Sequence, residues 1–344
     1  MTKLALITGI TGQDGSYLSE LLIEKQYKVY GIVRRNSELF NYSRLSYIRD
    51  SVNLIYGDLT DSLSLSNIIN IILTNNKDYS VFEIYNLGAQ SHVHISFDIP
   101  EYTAQVDGIG VLKLLECIRQ LDIKDIEKIR FYQAGTSEMF GEVLQIPQNE
   151  KTPFNPQSPY ASAKVYSHYI VKNYRESYNL FACNGILFNH ESNRRGENFV
   201  TKKIINYVKQ VRDSTENGEI LTLGNINSKR DWGHAKDYVM AMWLMLQQDK
   251  PDDYVIGMGE TYTIRTFVEK AFKKIDVDIE WIGKDLDEVG INKKSKQTLV
   301  KISKKYFRPN EVDILLSDSQ KAREKLKWVP EYDSLDKLID SMIT

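Results

Sequence analysis

Four residues near the middle of the chain carry side chains able to move protons. Thr136 and Glu138 stand two apart; past a loop, Tyr160 and Lys164 stand four apart. On a helix that spacing is one turn, so phenol and ammonium share a face. A phenol titrates near ~10 and is a poor base at neutral pH. A cation beside it favours the phenolate, and such a pair can exchange a proton with a substrate hydroxyl. Ser158-Pro159 reads as N-cap and first helical residue, so Tyr160 falls in the first turn, where the helix dipole also favours an anion. The Tyr-Lys spacing is common by chance. It gains meaning from a dinucleotide site upstream and a hydroxyl residue between the two, and both are present.

The elements that must position these groups begin at the N-terminus. Leu4 to Thr8 is a short apolar run, the pattern of a buried parallel strand, and it feeds Gly9-x-x-Gly12-x-x-Gly15 and then the helical pattern of residues 16–22. Glycines so placed let backbone amides approach a pyrophosphate at a helix N-terminus. The next strand, 28–33, ends in Arg34-Arg35-Asn36-Ser37. An acidic residue there would accept from a ribose 2′-hydroxyl; two cations and a hydroxyl suit a 2′-phosphate, so NADP is expected over NAD. Strand 52–56 ends at Asp58, which either reaches an adenine amino group or caps the following helix, that of Leu65, Ile68, Ile69 and Ile72. Strand 81–85 runs into the small residues Leu87 to Ser91. His92 and His94 have no Cys, Asp or Glu nearby to complete a ligand set, so no metal site is expected. An amphipathic helix is predicted over about 100–121, burying Val106, Ile109, Leu112, Leu115 and Ile118. Strand 128–134 then delivers Thr136 and Glu138 at its C-terminal end, the edge of a parallel sheet where ligands belong.

Beyond strand 180–187 the alternation weakens. Helices are expected near 198–211, 234–247, 263–274 and 335–343, a short strand at 220–223, and a capping box at Ser317 to Gln320 opening a helix to about Leu326. Lys293 to Lys305 reads as a surface loop. The fold expected is an α/β Rossmann-type doubly wound parallel sheet with a smaller mixed α/β lobe built mainly from the C-terminal third. Residues 1–188, with returning segments near 225–258, would form the dinucleotide domain; 189–224 and 259–344 would form the other lobe.

Composition bounds the partners. The 344 residues are 42% hydrophobic and 26% charged with a net charge of −2, an ordinary globular balance without the field that nucleic acid or an acidic membrane would call for. Cys117 and Cys183, the two cysteines, each sit in an apolar run and read as buried thiols in a reducing compartment. The opening apolar run is too short for a signal peptide or membrane span, so a cytoplasmic protein is expected.

The glycine loop, Thr136, Tyr160 and Lys164 resemble the extended short-chain dehydrogenase/reductase family. Longer strings are similar to its GDP-mannose 4,6-dehydratase branch: residues 7–18, Cys183 to Ser192, Arg194 to Thr201, Arg230 to Val239, and Tyr306 to Val312. The resemblance covers residue 3 to about 330 and is weakest over 283–304. It implies a lyase: oxidation at the sugar C4, elimination of water across C5 and C6, and re-reduction at C6. The product would be GDP-4-keto-6-deoxymannose, a first step towards GDP-fucose, GDP-rhamnose and related deoxysugars. Tyr160, supported by Lys164 and Thr136, would take the C4 hydroxyl proton and Glu138 the C5 proton. A plain reductase needs no second base there, whereas elimination beside a ketone does.

The resemblance further implies NADP contacts at Gly9, Ile10, Thr11, Gly12, Gln13, Asp14, Arg34, Arg35, Asn36, Ser37, Asp58, Leu59, Leu87, Gly88, Ala89, Gln90, Ser91, Tyr102, Lys164, His190 and Arg195. GDP-mannose would lie against Asn189, Val200, Lys203, Asn225, Arg230, Arg308 and Glu311, the two arginines having the planar fork that suits a diphosphate. A homo-oligomer is implied, dimer or tetramer, with the tetramer favoured because the Arg34-Arg35 loop would pack across a subunit interface. Two departures stand out: Asn193 replaces a frequent Pro, implying a less rigid loop, and 283–304 is short. Competing readings are a sister nucleotide-sugar dehydratase or 4-epimerase, and a catalytically silent NADP-binding regulator. An epimerase has no use for Glu138, and a dTDP-glucose dehydratase would carry Asp-Glu in place of Ser137-Glu138.

Overall fold

The computed structural model describes residues 1–35, 43–213, 219–307 and 310–344. Seven strands form its central sheet: β1 (Thr2–Thr8), β2 (Tyr27–Val33), β3 (Val52–Tyr56), β4 (Tyr79–Asn86), β5 (Ile129–Ala134), β6 (Ala182–Leu187) and β7 (Asp253–Ile256). Their order is β7-β6-β5-β4-β1-β2-β3, and every pairing is parallel. Parallel neighbours need helical crossovers, which cover both faces and make the strands apolar throughout. The burial of β1 shows this directly. Leu4 and Leu6 point into one core with Phe82, Ile84, Leu114 and Leu115, while Ala5 and Ile7 point into the other with Leu18, Leu22, Met242 and Met245. The covering helices are α1 (Gln13–Glu24), α2 (Ser62–Thr74), α3 (Gly110–Arg119), α4 (Pro159–Tyr178) and α5 (Ala235–Leu246).

The strand order reverses between β1 and β4, and a crevice opens there at the C-terminal ends of the strands. Thr8 Oγ1 donates to Asn86 Oδ1 at 2.6 Å and accepts from Gly88 N–H at 2.8 Å, tying the two strand ends together. Gly9 has φ +68°, and a Cβ there would lie 2.9 Å from the Gly88 nitrogen. Only glycine fits that approach.

The smaller lobe is a four-stranded mixed sheet of Leu221–Leu223, Ile279–Ile282, Val289–Asn292 and Thr298–Ile302. Helices Val200–Asp213, Ile264–Lys273 and Leu335–Ile343 enclose a core of Ile204, Ile205, Phe267, Phe272, Leu299, Leu338 and Ile339.

Four expectations are corrected. The Lys-rich stretch from 293 is no loop throughout: its lysines crowd the turn of a hairpin, and Thr298–Ile302 is a strand burying Leu299 and Val300. The predicted 100–121 helix is interrupted by a π turn, Gln105–Ile109. The extra residue rotates the buried face, so Val106, Val111, Leu114, Leu115 and Ile118 go inside while Ile109 and Leu112 are only half-buried. Finally, Ala322, Leu326 and Trp328, placed in the lobe by the sequence reading, pack into the core of the central sheet with α5. Their helix, Gln320–Lys325, is capped by Asp318 Oδ1 on Gln320 N–H at 3.1 Å, not by a capping box; Ser319 Oγ donates to Gly257 O instead.

Candidate active site

β5 ends at Ala134, and the chain turns at Gly135 into a short 3₁₀ turn, Ser137–Met139. Thr136 caps this turn, its Oγ1 accepting from Glu138 N–H at 3.2 Å. Met139 and Phe140 are fully buried against Ile186 and Phe188, which fixes the turn from below and leaves Glu138 on the cavity wall. Across from it, Ser158 Oγ accepts from Ala161 N–H at 3.1 Å and Pro159 takes the first helical position, as predicted, so α4 begins with Tyr160 in its first turn. Lys164, one turn on, donates from Nζ to Ala134 O at 3.0 Å and stands 5.8 Å from the Tyr160 ring centroid. Thr136, Glu138, Tyr160 and Lys164 line one cavity of about 820 Å³.

The electrostatics differ from the simple cation argument. Burial pushes the Tyr160 phenol well above its usual range, and the charge of Asp107 pushes it further; Glu138 adds to this, while a Thr136 hydrogen bond and Arg195 pull the other way. Burial also draws Lys164 down, and Asp107 holds it up. The Tyr160 phenol thus holds its proton more firmly than a free tyrosine does.

The glycine loop forms the opposite wall. Gly12 is the N-cap of α1 and has no side chain to satisfy the first-turn amides, which are left for an anion. A Cβ on Gly15 would stand 2.4 Å from Gly9 O, so the loop closes only on glycine. Asp14 and His190 pair at 2.7 Å through Oδ2 and Nε2, and His190 Nδ1 faces Phe188 O at 2.8 Å. Both ring nitrogens meet acceptors, as an imidazolium requires. Burial alone would raise Asp14 and lower His190, yet the pair outweighs it: Asp14 is held below, and His190 above, the usual value. Gln13 strengthens the joint, donating to His190 O at 3.1 Å and accepting from Ser192 Oγ at 2.8 Å.

The other cofactor expectations divide. Gly9, Thr11, Arg34, Asp58, Leu59, Leu87, Gly88, Ala89, Ser91, Tyr102 and Arg195 line the cavity with the residues above. Ile10 does not: its side chain is wholly buried against Gly31, so only its backbone follows the loop. Arg35 lies outside the cavity lining, 5.8 Å over the Tyr56 ring, and Gln90 sits behind the wall, its N–H donating to Asp107 Oδ1 at 2.7 Å. Asp58 does not cap the helix after it: its Oδ1 accepts from Thr60 N–H and Oγ1 at 2.8 Å each in the preceding turn, and the N-cap is Asp61, which accepts from Leu63 and Ser64 N–H. Asn36, Ser37 and Arg308 lie outside the described residues.

At the far end, Asn189, Val200, Lys203, Asn225, Arg230 and Glu311 line the same cavity. Lys203 donates to Thr222 O at 2.7 Å and lies 4.0 Å over the Tyr306 ring; Arg230, nearly buried, donates to Val312 O at 2.7 Å. Asn189 Oδ1 and Ser228 Oγ are buried polar atoms without a hydrogen-bond partner among the described residues. Ser228, Trp232, Asn198 and Tyr306 were not singled out as site residues, and only their closeness to Arg230, Val200 and Arg308 in the chain could have flagged them. His92 caps the 93–98 helix, Nδ1 accepting from Ile95 N–H. Asn193 is anchored where a looser loop was expected: its Oδ1 accepts from Tyr17 OH at 2.9 Å and its carbonyl from Lys202 Nζ at 2.7 Å.

A family model described as GDP-mannose 4,6 dehydratase matches residues 6–342. The chain belongs to the GDP-mannose 4,6-dehydratase family. Curated members from Drosophila melanogaster and Homo sapiens are each 53% identical, over 99% of this chain and 85% and 90% of their own lengths. The member from Vibrio cholerae is 49% identical over 99% of this chain and 92% of its own. Among solved structures, a Thermus thermophilus UDP-glucose 4-epimerase complexed with NAD superposes with a TM-score of 0.75 at 20% identity, covering 98% of each chain. A Bacillus anthracis dTDP-glucose 4,6-dehydratase in complex with NAD gives 0.76 at 19%, covering 99% of this chain and 96% of that one. At such identities the likeness shows the shared fold. The uncapped α1 amides and the glycine-only approaches fit the pyrophosphate of a nicotinamide dinucleotide.

Proposed function

We propose that this chain converts GDP-mannose to GDP-4-keto-6-deoxymannose, with NADP retained through the cycle. The observation that carries the reading is Glu138: a carboxylate on the same cavity wall as Thr136 and facing the Tyr160 side, where its charge is felt by the phenol. Oxidation alone needs one proton acceptor; oxidation followed by elimination needs two.

Tyr160, hydrogen-bonded to Thr136, accepts the C4 hydroxyl proton as the carbinol becomes a ketone. Its raised resting value makes it a base only when positive charge arrives in the site, so proton transfer is tied to a loaded cofactor. A bound nicotinamide supplies the two-electron part, keeping the C4 hydrogen until C6 can take it. The ketone acidifies C5–H, Glu138 takes that proton, and the C6 hydroxyl leaves as water with it. As C6 is reduced, Tyr160 returns its proton to C5, and atoms and charge balance. Arg34, a cation in the cavity lining just past the end of β2 where an acidic residue would select NAD, supports NADP. The exposed tyrosines 166, 169 and 178 along α4 support self-association, which light scattering of the purified protein tests.

The test is mass spectrometry of GDP-mannose incubated with the purified protein in deuterated water. Loss of one water with one deuterium fixed at C5 is expected. Untouched GDP-mannose with conversion of a UDP- or dTDP-sugar overturns the substrate, and silence with every sugar nucleotide favours the regulator.

A further inference from the structure

The stretch 192–199 joins the strand Asn189–Glu191 to the helix Val200–Asp213, and the carboxylate that precedes it reaches across its length. The Glu191 side chain is 2% exposed. One of its oxygens, Oε2, accepts from Thr201 Oγ1 at 2.5 Å and lies 3.1 Å from Arg195 Nε. A buried carboxylate is costly unless a cation compensates it, and Arg195 is that cation. Thr201 is buried in the first turn of the helix, whose Val200 and Lys203 line the far end of the cavity. Arg195 lines the cofactor end, where its charge is felt by Asp14, His190 and Tyr160. Its guanidinium lies 3.8 Å over the Phe199 ring, and Nε makes no hydrogen bond among the described residues. The Glu191 charge and the ring face, rather than a directed bond to Nε, therefore set its place.

We propose that Glu191 is a positioning residue for both ligands: its carboxylate sets the Arg195 guanidinium on the cofactor wall and, through Thr201, seats the first turn of the helix that presents Val200 and Lys203 to the sugar nucleotide. This rests on the reading of the cavity as a site for NADP and a GDP sugar. The two arms differ in kind. The arm to Arg195 is a charge at 3.1 Å, and a contact through Nε leaves the outer edge of the guanidinium fork for a phosphate. The arm to Thr201 is a hydrogen bond, and it also places an anion at the positive end of the helix. Two turns keep the arms at a fixed spacing: Arg195 N–H donates to Ser192 O and Phe199 N–H to Gly196 O, each at 3.1 Å. The strand that bears Glu191 is held in turn by parallel pairing with Trp232–His234, so the carboxylate is a fixed point against which both walls are set.

The arms can be cut separately, with NADP and GDP as the probes in calorimetric titration of the full chain. Where cofactor stays bound through purification, its rate of release replaces the NADP dissociation constant. Glu191→Gln keeps an acceptor for Thr201 and removes the charge on Arg195. NADP binding should weaken by about fivefold or more, and GDP binding by less. Thr201→Val removes the hydroxyl at nearly constant shape. GDP binding should weaken by about fivefold or more with NADP within about twofold, and Thr201→Ser, which restores the hydroxyl, should bring GDP back to within about twofold of the native protein. A purely structural role would lower the melting temperature of Glu191→Gln and Thr201→Val and leave both dissociation constants in place, which overturns the proposal. Equal losses of GDP affinity in Thr201→Val and Thr201→Ser overturn it as well, and this pair decides if Glu191→Gln fails to fold. A native protein that binds neither NADP nor GDP refutes the functional reading rather than the tie. The tie is then judged by a double-mutant cycle on melting temperature, Glu191→Gln with Thr201→Val, and losses that simply add overturn it.

Discussion

On the proposed mechanism Tyr160 and Glu138 divide the chemistry, and their variants should fail differently. Tyr160→Phe keeps the ring packing and removes the proton acceptor, so turnover should fall about 10²–10⁴-fold with GDP-mannose binding retained. Glu138→Gln blocks the reaction after oxidation. Single-turnover mixing should show reduced nicotinamide absorbance that persists, with no deuterium entering C5 from deuterated water. Loss of both signals in Glu138→Gln would mean that the carboxylate serves the first step as well. The Asp14–His190 pair adds a pH dependence. His190 is raised, so its contribution to stability is complete below its unfolded value of 6.5 and is lost as pH rises through the higher folded value. Asp14 is lowered, so its share is present above 3.8 and lost as pH falls through the depressed value. The melting-temperature advantage of the native protein over His190→Gln should thus be greatest between those two values and shrink towards alkaline pH. Tyr160 and Lys164 were legible because one turn of helix fixes their relation. Asp107 was not, because its place depends on an inserted residue that periodicity does not register.

At the level of elements, two short devices aim the site. The Ser158 cap starts α4 one residue before Pro159, and Ser158→Ala should cost about 1 kcal/mol of stability, read as a shifted denaturation midpoint. The glycine loop admits no Cβ at Gly15, so Gly15→Ala should abolish nicotinamide-cofactor binding by fluorescence titration more than it disturbs the circular dichroism of the fold. The strands of the central sheet were readable as apolar runs because helices cover both of their faces. The 298–302 strand hid for the opposite reason: its buried pair, Leu299 and Val300, is flanked by the lysines of the hairpin turn and by Lys301, which is exposed within the strand. The buried face of the 100–119 region was misread from the point where 3.6-residue counting meets the π turn.

Over the whole molecule, one cavity runs from the glycine loop to Glu311, so a cofactor and a sugar nucleotide bound as proposed would share walls. Each ligand should stabilise the fold by mass action, by about 2.7 kcal/mol at a hundred times its dissociation constant, and calorimetry with both present should show the two contributions combining. Among the described residues no helix is long and apolar enough to cross a membrane. The lobe and the sheet are also stitched together by the path of the chain. It leaves the sheet after β6, returns for α5 and β7, leaves again for the four-stranded sheet, and comes back with Trp328 before ending in the lobe. A bridge between Gln148 and Ser317 closes one of these passages. A recombination event cannot lift out the smaller lobe with two cuts and set another in its place. For such a chain, new substrate preferences have to be acquired by exchanging single side chains along the cavity, with the scaffold inherited whole.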